Sequence, residues 1–229
     1  MKIGSILEDQ ALEKRIAITP ELVKKYTSLG FEISLIENYG SHLGVKDEQF
    51  IDMGVKISKN ESEILTASDI IVQLEILPDD KISKLKPSFT PNGTITAANA
   101  SKLNDGAAAL LLASEDKVKK YNIKPIAKII AHCSFAHDPK WFTTAPSKAI
   151  KKVFNMSGLS KNDIDIWEIN EAFAAVAMAA IEDFNLDETK VNILGGAVAL
   201  GHPIGASGAR ILTTLLNVLK LSNKRFGLA

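Results

Sequence analysis

Cysteine is nearly missing from this sequence. Its 229 residues hold one, Cys133, so no internal disulfide can form and any thiolate chemistry within these residues must use that sulfur. A surplus of charge is missing as well: Lys plus Arg and Asp plus Glu number 27 each. That balance excludes the basic stripe of a nucleic-acid binder and the charge excess of a disordered chain. The longest nearly apolar run, Ala172 to Ile181, falls far short of the roughly 20 residues that span a bilayer. The opening MKIGSILEDQ has no apolar signal core. Four histidines without partner cysteines make no zinc pattern, and no metal is expected. Neither a G-x-G-x-x-G fingerprint nor a Walker-type G-K-[ST] loop is present. What remains is an ordinary globular balance, 46% hydrophobic and 24% charged, and the expectation is a soluble cytoplasmic protein of one large domain or two small ones.

The composition changes near residues 83–90, in the string SKLKPSFTPNG. Residues 1–86 are richer in long charged side chains and alternate strand and helix signals. Lys2–Leu7 reads as a strand. Thr19-Pro20-Glu21 supplies an N-cap, a proline at the first helical position and an acidic first turn, opening a helix that Gly30 stops. Glu32–Glu37 and Ile70–Leu74 read as further strands, the last one buried, with a short helix over Glu48–Met53 between them. A βαβ series of this kind implies a parallel sheet with covered faces. In residues 87–229, strands are expected at Ala107–Ala113, Ile126–Ser134 and Ile164–Ile169, and a strand or loop entry at Val191–Leu194. Helices are expected from Ser114 to about Tyr121 and at Ala145–Met156, Glu171–Phe184 and Gly205–Leu219, with a strand beginning at Phe226. Two of these helices are unusually rich in small or apolar residues, Ala172–Ile181 and Gly205–Leu215, and are expected to lie between sheets in a layered fold.

Several strings could carry chemistry. In NEAFA, Asn170 falls at a strand-to-helix turn, where a side-chain amide can hold a carbonyl oxygen or an ordered water. It could equally cap the helix. In GGAVALGHPIGASGAR, His202 sits between Gly201 and Pro203, where small residues permit close approach by a ligand. A histidine near a helix N-terminus is biased toward the neutral form and suits a general base or oxyanion donor, though a structural histidine would look the same. Cys133, in IIAHCSFAHD, reads as a buried, inert thiol inside a strand. Arg15, in EKRIAITPELVKK, could grip a carboxylate, and from spacing alone reads as a surface ion pair.

Residues from about 87 to 229 resemble the C-terminal part of a thiolase of the acetyl-CoA acetyltransferase type, on NGTITAANASKLNDGAA, DIDIWEINEAFA and VNILGGAVALGHPIGASGARIL. That resemblance implies that Asn170 holds a water in an oxyanion hole. It implies that His202 supports a nucleophilic cysteine and polarises the thioester oxygen, with Ala172, Phe173, Phe142 and Gly201 at the substrate. The reaction implied is acyl transfer between CoA thioesters, with no cofactor beyond the CoA substrate. The family's nucleophilic cysteine and its C-x-G-x-G cysteine are both missing from these residues, and Cys133 matches neither. Negligible turnover by this chain alone is therefore expected, and the exposed apolar surface of a truncated domain is expected to drive self-association.

Residues 1 to about 86 resemble the start of the alpha subunit of proton-translocating NAD(P) transhydrogenase and the related alanine dehydrogenases, on EKRIAITPELVKK and DIIVQLEILPDD. There Arg15 matches the arginine that holds the substrate carboxylate, while Gln73 stands where the family has a lysine. NAD(P) would be a cofactor under that alternative only. The architecture expected is α/β throughout, a partial Rossmann-like lobe (1–86) followed by a partial, truncated thiolase-type layered domain (87–229). The chain reads as a chimera of two gene fragments, either a true fusion or a join made during sequence assembly. A non-catalytic chain is the third reading.

Overall fold

The first strand, β1 (Lys2–Ser5), is buried from Ile3 onward because it lies inside a sheet. The computed structural model describes residues 1–229, which divide into two compact units, Met1–Ala98 and Asn99–Ala229. In the first unit Thr19 caps α1 (Pro20–Ser28), its hydroxyl accepting from Leu22 N. β2 (Glu32–Ile36), α2 (Asp47–Ile51), β3 (Lys56–Ser58), α3 (Glu61–Ala67), β4 (Ile70–Ile71) and α4 (Asp79–Ile82) follow. The four strands form one parallel sheet in the order β3-β2-β1-β4. A Cβ on Gly4 would overlap the Ser68 hydroxyl, so glycine is what lets the end of α3 lie on the central strand. The core gathers Ile6, Ile18, Leu35, Phe50, Ile64 and Leu65, all fully or nearly fully buried.

The strand expected over Ile70–Leu74 is shorter and more open than its composition suggests. β4 pairs with β1 alone, and Ile70 is exposed as an edge residue. The pairing continues only as far as Val72 N to Gly4 O. β3 adds the far edge of the sheet and α3 packs beside it, though neither carries a clear signal in its composition. The unit runs on past the SKLKP string. Leu85 is buried in its core, Ser88 N donates to Ile95 O, Pro87 and Thr96 form an antiparallel bridge, and Ala98 packs against the same core.

The second unit contains α5 (Glu115–Lys120), α6 (Ala145–Ser157), β5 (Ile166–Trp167), α7 (Ala174–Phe184), α8 (Ala197–Leu200), α9 (Ser207–Leu221) and β6 (Gly227–Leu228). β5 and β6 pair in parallel, Ile166 with Gly227 and Trp167 with Leu228. The period of two along β5 divides the unit into layers. Trp167 packs with Ile150 of α6 and with Val176, Ala177 and Ala180 of α7. Ile166 packs on the opposite face, with Leu215 and Val218 of α9. The two small-residue helices therefore flank a sheet rather than lie between sheets. α7 is correspondingly not buried all round, and Met178 is exposed.

Two expected strands are not formed. Ala107–Ala113 and Ile126–Ser134 carry no regular structure and are largely exposed, Leu111 at 93% and Ile126 at 80%. An apolar run becomes a strand only with a neighbour to pair with, and neither segment has one within the unit. Val191–Leu194 forms a turn, tied to Trp167 by one parallel bridge. Both units are mixed α/β with parallel pairing, and no helix is long and apolar enough to cross a membrane.

Candidate active site

Asn170 sits where the chain leaves β5, and a second asparagine builds that strand end. Asn192, held at a positive φ of 49°, lies beside it. Its Oδ1 accepts from Ile169 N at 2.8 Å, its Nδ2 donates to Ile169 O at 2.8 Å, and its own N–H reaches Trp167 O. An amide side chain thus pairs with the strand where the backbone ladder stops. Beyond Ile169 the chain turns, Ala172 N bonding Asn170 O. α7 begins three residues later than expected, with Phe173 in an extended N-cap conformation. Asn170 is therefore not the cap of α7. Its Nδ2 points at His202 Nε2, 3.5 Å away, and its Oδ1 is buried without a hydrogen-bond partner.

His202 lies on the loop before α9, which starts at Ser207 rather than Gly205. The Nδ1 of its ring is 2.6 Å from Ser207 Oγ, and that hydroxyl donates to Pro203 O at 3.1 Å. Ser207 has one hydroxyl proton. Given to Pro203, it leaves Oγ to accept from Nδ1–H, so Nε2 carries the lone pair facing Asn170. The histidine backbone is fixed too, His202 N donating to Lys102 O at 2.8 Å.

The polar string Asn99–Gly106 fastens both motifs. Ala174 N donates to Asn99 O, while Ser101 donates to Ala172 O from its backbone at 3.1 Å and from its hydroxyl at 2.7 Å. Asn104 covers Gly201, whose φ of +94° and close approach to that amide both call for glycine. Glu171 holds the other side of the site. It accepts from Asn192 Nδ2 at 2.7 Å and from Val198 N at 3.2 Å, over Gly196. Phe142, from the 139–144 turn, meets Phe173 edge-on with ring centroids 6.1 Å apart. Asn170, Ala172, Phe173, Phe142, Gly201 and His202 are thus tied into one neighbourhood. The sequence alone did not single out Ser207, Glu171 or Asn192, and it marked the Asn99–Asn104 stretch only through the thiolase resemblance of NGTITAANASKLNDGAA. The alternation of polar and apolar residues in IWEIN was the available signal for Glu168.

Glu168 is 1% exposed, and neither carboxylate oxygen has a hydrogen-bond partner. The nearest cation is Arg210, with Nη1 3.6 Å from Oε2. Burial pushes the Glu168 carboxyl up to about 7, Arg210 opposing and the Glu171 charge adding to the rise.

The remaining candidates lie elsewhere. Cys133 is half-buried in an irregular segment, not inside a strand, and donates to Ala149 O at 3.3 Å. In the first unit the Arg15 guanidinium is already engaged by Glu13, from Nε at 2.9 Å and Nη2 at 2.5 Å. Those hydrogen bonds hold the Glu13 carboxyl down at about 2. Gln73 turns inward, its Oε1 accepting from Ile6 N at 2.9 Å and from the Ser5 hydroxyl at 2.7 Å.

The unit is thus mixed α/β, with Asn170 and His202 facing one another from the NEAF and GHP turns. Residues 123–229 match the thiolase C-terminal domain family, and residues 5–116 match the alanine dehydrogenase/PNT N-terminal domain family. Both resemblances read from the motifs are thereby matched. The chain is 50% identical over 150 residues to a probable acetyl-CoA acetyltransferase of Dictyostelium discoideum, covering 66% of this chain and 36% of that protein. It is similar to the crystal structure of the Bacillus anthracis acetyl-CoA acetyltransferase, with TM-score 0.64 and 42% identity over 69% of this chain and 41% of that one. A thiolase from Ascaris suum in complex with coenzyme A is 44% identical, with TM-score 0.57, over 62% of this chain and 38% of that one. The chain therefore spans well under half the length of these proteins.

Proposed function

We propose that the second unit carries the oxygen-stabilising part of a thiolase-type site for acyl transfer between CoA thioesters. The observation that carries this reading is the convergence of Asn170 Nδ2 on His202 Nε2, with Asn170 Oδ1 buried and unpartnered. A buried amide oxygen needs a donor. A water that gives one hydrogen to Oδ1 has a second to give to an oxyanion. The lone pair on His202 Nε2 can take the proton of a thiol, leaving a thiolate and an imidazolium. The Nε2–H so formed then donates to the carbonyl oxygen as it gains charge. Ala172, Phe173 and Phe142 line the acyl side, and Gly201, packed under Asn104, shapes the turn that presents His202 to the substrate. No cofactor beyond the CoA thioester is invoked.

These residues supply no nucleophile at that place, since the one cysteine, Cys133, is engaged with Ala149 on α6. We therefore expect negligible turnover from the 229-residue chain on its own, acting as one part of a fusion or of two distinct enzymes. For the first unit a transhydrogenase-type role is the weaker reading, because Arg15 is held by Glu13 and Gln73 is turned inward. The single free cysteine supports a reducing, cytoplasmic location.

The test is retention on immobilised CoA together with acetoacetyl-CoA cleavage, for the wild type, Asn170→Ala and His202→Ala. Retention of the wild type, weakened in both variants and without turnover, supports the reading. Cleavage that survives Cys133→Ala defeats the inactivity, and quenching by NADH without CoA retention defeats the thiolase assignment.

A further inference from the structure

Glu168 and Arg210 have no part in the chemistry assigned above, yet they lie directly behind it. Ile166, Glu168 and Asn170 share one face of the extended chain, and each meets the α9 side of the unit. Ile166 packs on Leu215 and Val218, Glu168 meets Arg210, and Asn170 meets His202. Arg210 follows Ser207 by three residues, within the first turn of α9 and on the same side of the helix. The charged groups around the Glu168 carboxylate are Arg210 from α9 and Glu171 from the turn beyond Asn170, of opposite sign. We propose that the Glu168–Arg210 contact is a positioning element that seats the first turn of α9 against the end of β5, so that the Ser207 hydroxyl fixes the His202 ring opposite Asn170.

Two observations support it. A carboxylate buried with no hydrogen bond is a poor way to gain stability, and well-packed apolar residues would serve packing as well or better. The pair also joins the two segments that carry Asn170 and His202 at the level of the site. The Asn99–Asn104 clamp holds the same two turns by their backbones and by Gly201. The ring is fixed through Ser207, and Ser207 is placed by α9. The inference rests on reading Asn170 and His202 as the oxygen-stabilising pair.

The experiment is imidazole 15N NMR on the full chain, with His202 assigned from the signals lost in His202→Gln. The wild type is expected to show the Nδ1–H tautomer. Glu168→Leu and Arg210→Met should each lower the share of that tautomer by about twofold or more. The double variant should go no further than either single one. Glu168→Gln keeps an oxygen for Arg210, and Arg210→Lys keeps the charge, so both should retain most of the wild-type signature. Wild-type His202 signals in folded Glu168→Leu, or in Arg210→Met should Glu168→Leu not fold, overturn the proposal. CoA retention is measured on the same samples. A wild type that does not bind CoA defeats the functional reading, while the His202 tautomer decides the positioning role independently.

Discussion

The Glu171 carboxylate occupies the space in which a side chain on Gly196 would begin. A Cβ added at Gly196 would overlap all three carboxyl atoms of Glu171. The same carboxylate accepts from Asn192 Nδ2 and Val198 N, so one acidic side chain ties the NEAF turn to the turn ahead of α8. Gly196→Ala should expel Glu171 and strand both donors. The φ of Gly196, −123°, is open to any residue, so the effect isolates crowding from backbone strain. We expect a loss of about 1–3 kcal/mol of stability, read by urea denaturation, and faster exchange of the Val198 amide. Wild-type stability with a protected Val198 amide would sink this account.

In the first unit, Tyr39 holds the loop that carries Arg15 to the sheet. Its hydroxyl accepts from Ile18 N at 3.0 Å and lies 2.7 Å from Ser5 Oγ, all three residues being fully buried. Burial raises the Tyr39 phenol above its ordinary value, so it remains a neutral partner across the working pH range. Tyr39→Phe removes the acceptor and leaves Ile18 N–H buried alone, which should cost about 1–3 kcal/mol. Ser5→Ala removes as well the one hydroxyl proton that Val72 O and Gln73 Oε1 share. The double variant should cost less than the sum of the two, because they share one network. Strict additivity in denaturant unfolding would show that the network is not one unit.

How far the sequence carried this reading depended on the range of the interaction. Thr19-Pro20 and Ser114 opened helices where expected, because a cap is satisfied within its own turn. Asn170 and His202 were legible as candidates by their turn settings and family motifs, but their 3.5 Å meeting spans 32 positions of sequence. Ser207 was invisible for the same reason: a serine in a small-residue helix start looks like packing until the imidazole is seen beside it. The segments 107–113 and 126–134 failed in the opposite direction. Their composition is that of strands, and composition cannot report whether a partner strand is there.

Those same segments lead to an expectation about solution behaviour. Leu111, Leu112 and Ile126 are each at least 70% exposed, and residues 106–113 and 124–132 have no backbone hydrogen-bond partners within the unit. Unpaired apolar backbone is a template for pairing with another chain. The protein should associate with rising concentration, and replacing Leu111 and Ile126 together by Ser should shift it toward monomer. Sedimentation velocity over a wide concentration range checks this. A wild type that stays monomeric throughout would count against it.

Glu168 sets a pH dependence opposite to that of most carboxylates. Its folded-state value stands at about 7, against an ordinary 4.5. Between those two values the folded protein keeps a proton that the unfolded chain has released, so stability must fall as pH rises through that window. The contribution is fully present below about 4.5 and is lost by the time pH has passed through about 7. The displacement corresponds to at most about 3 kcal/mol. Glu168→Gln has no such proton to lose and keeps an oxygen for Arg210. Relative to the wild type, the variant should therefore gain stability steadily from pH 5 to pH 8, the measurement being urea unfolding at several pH values. Glu13 runs the usual way, its carboxyl held down at about 2 by Arg15, so its contribution is kept across that whole range and does not blur the comparison. A difference between variant and wild type that is flat with pH, or that shrinks toward pH 8, would mean that Glu168 is ionised at low pH in the folded state and that Arg210 outweighs its burial.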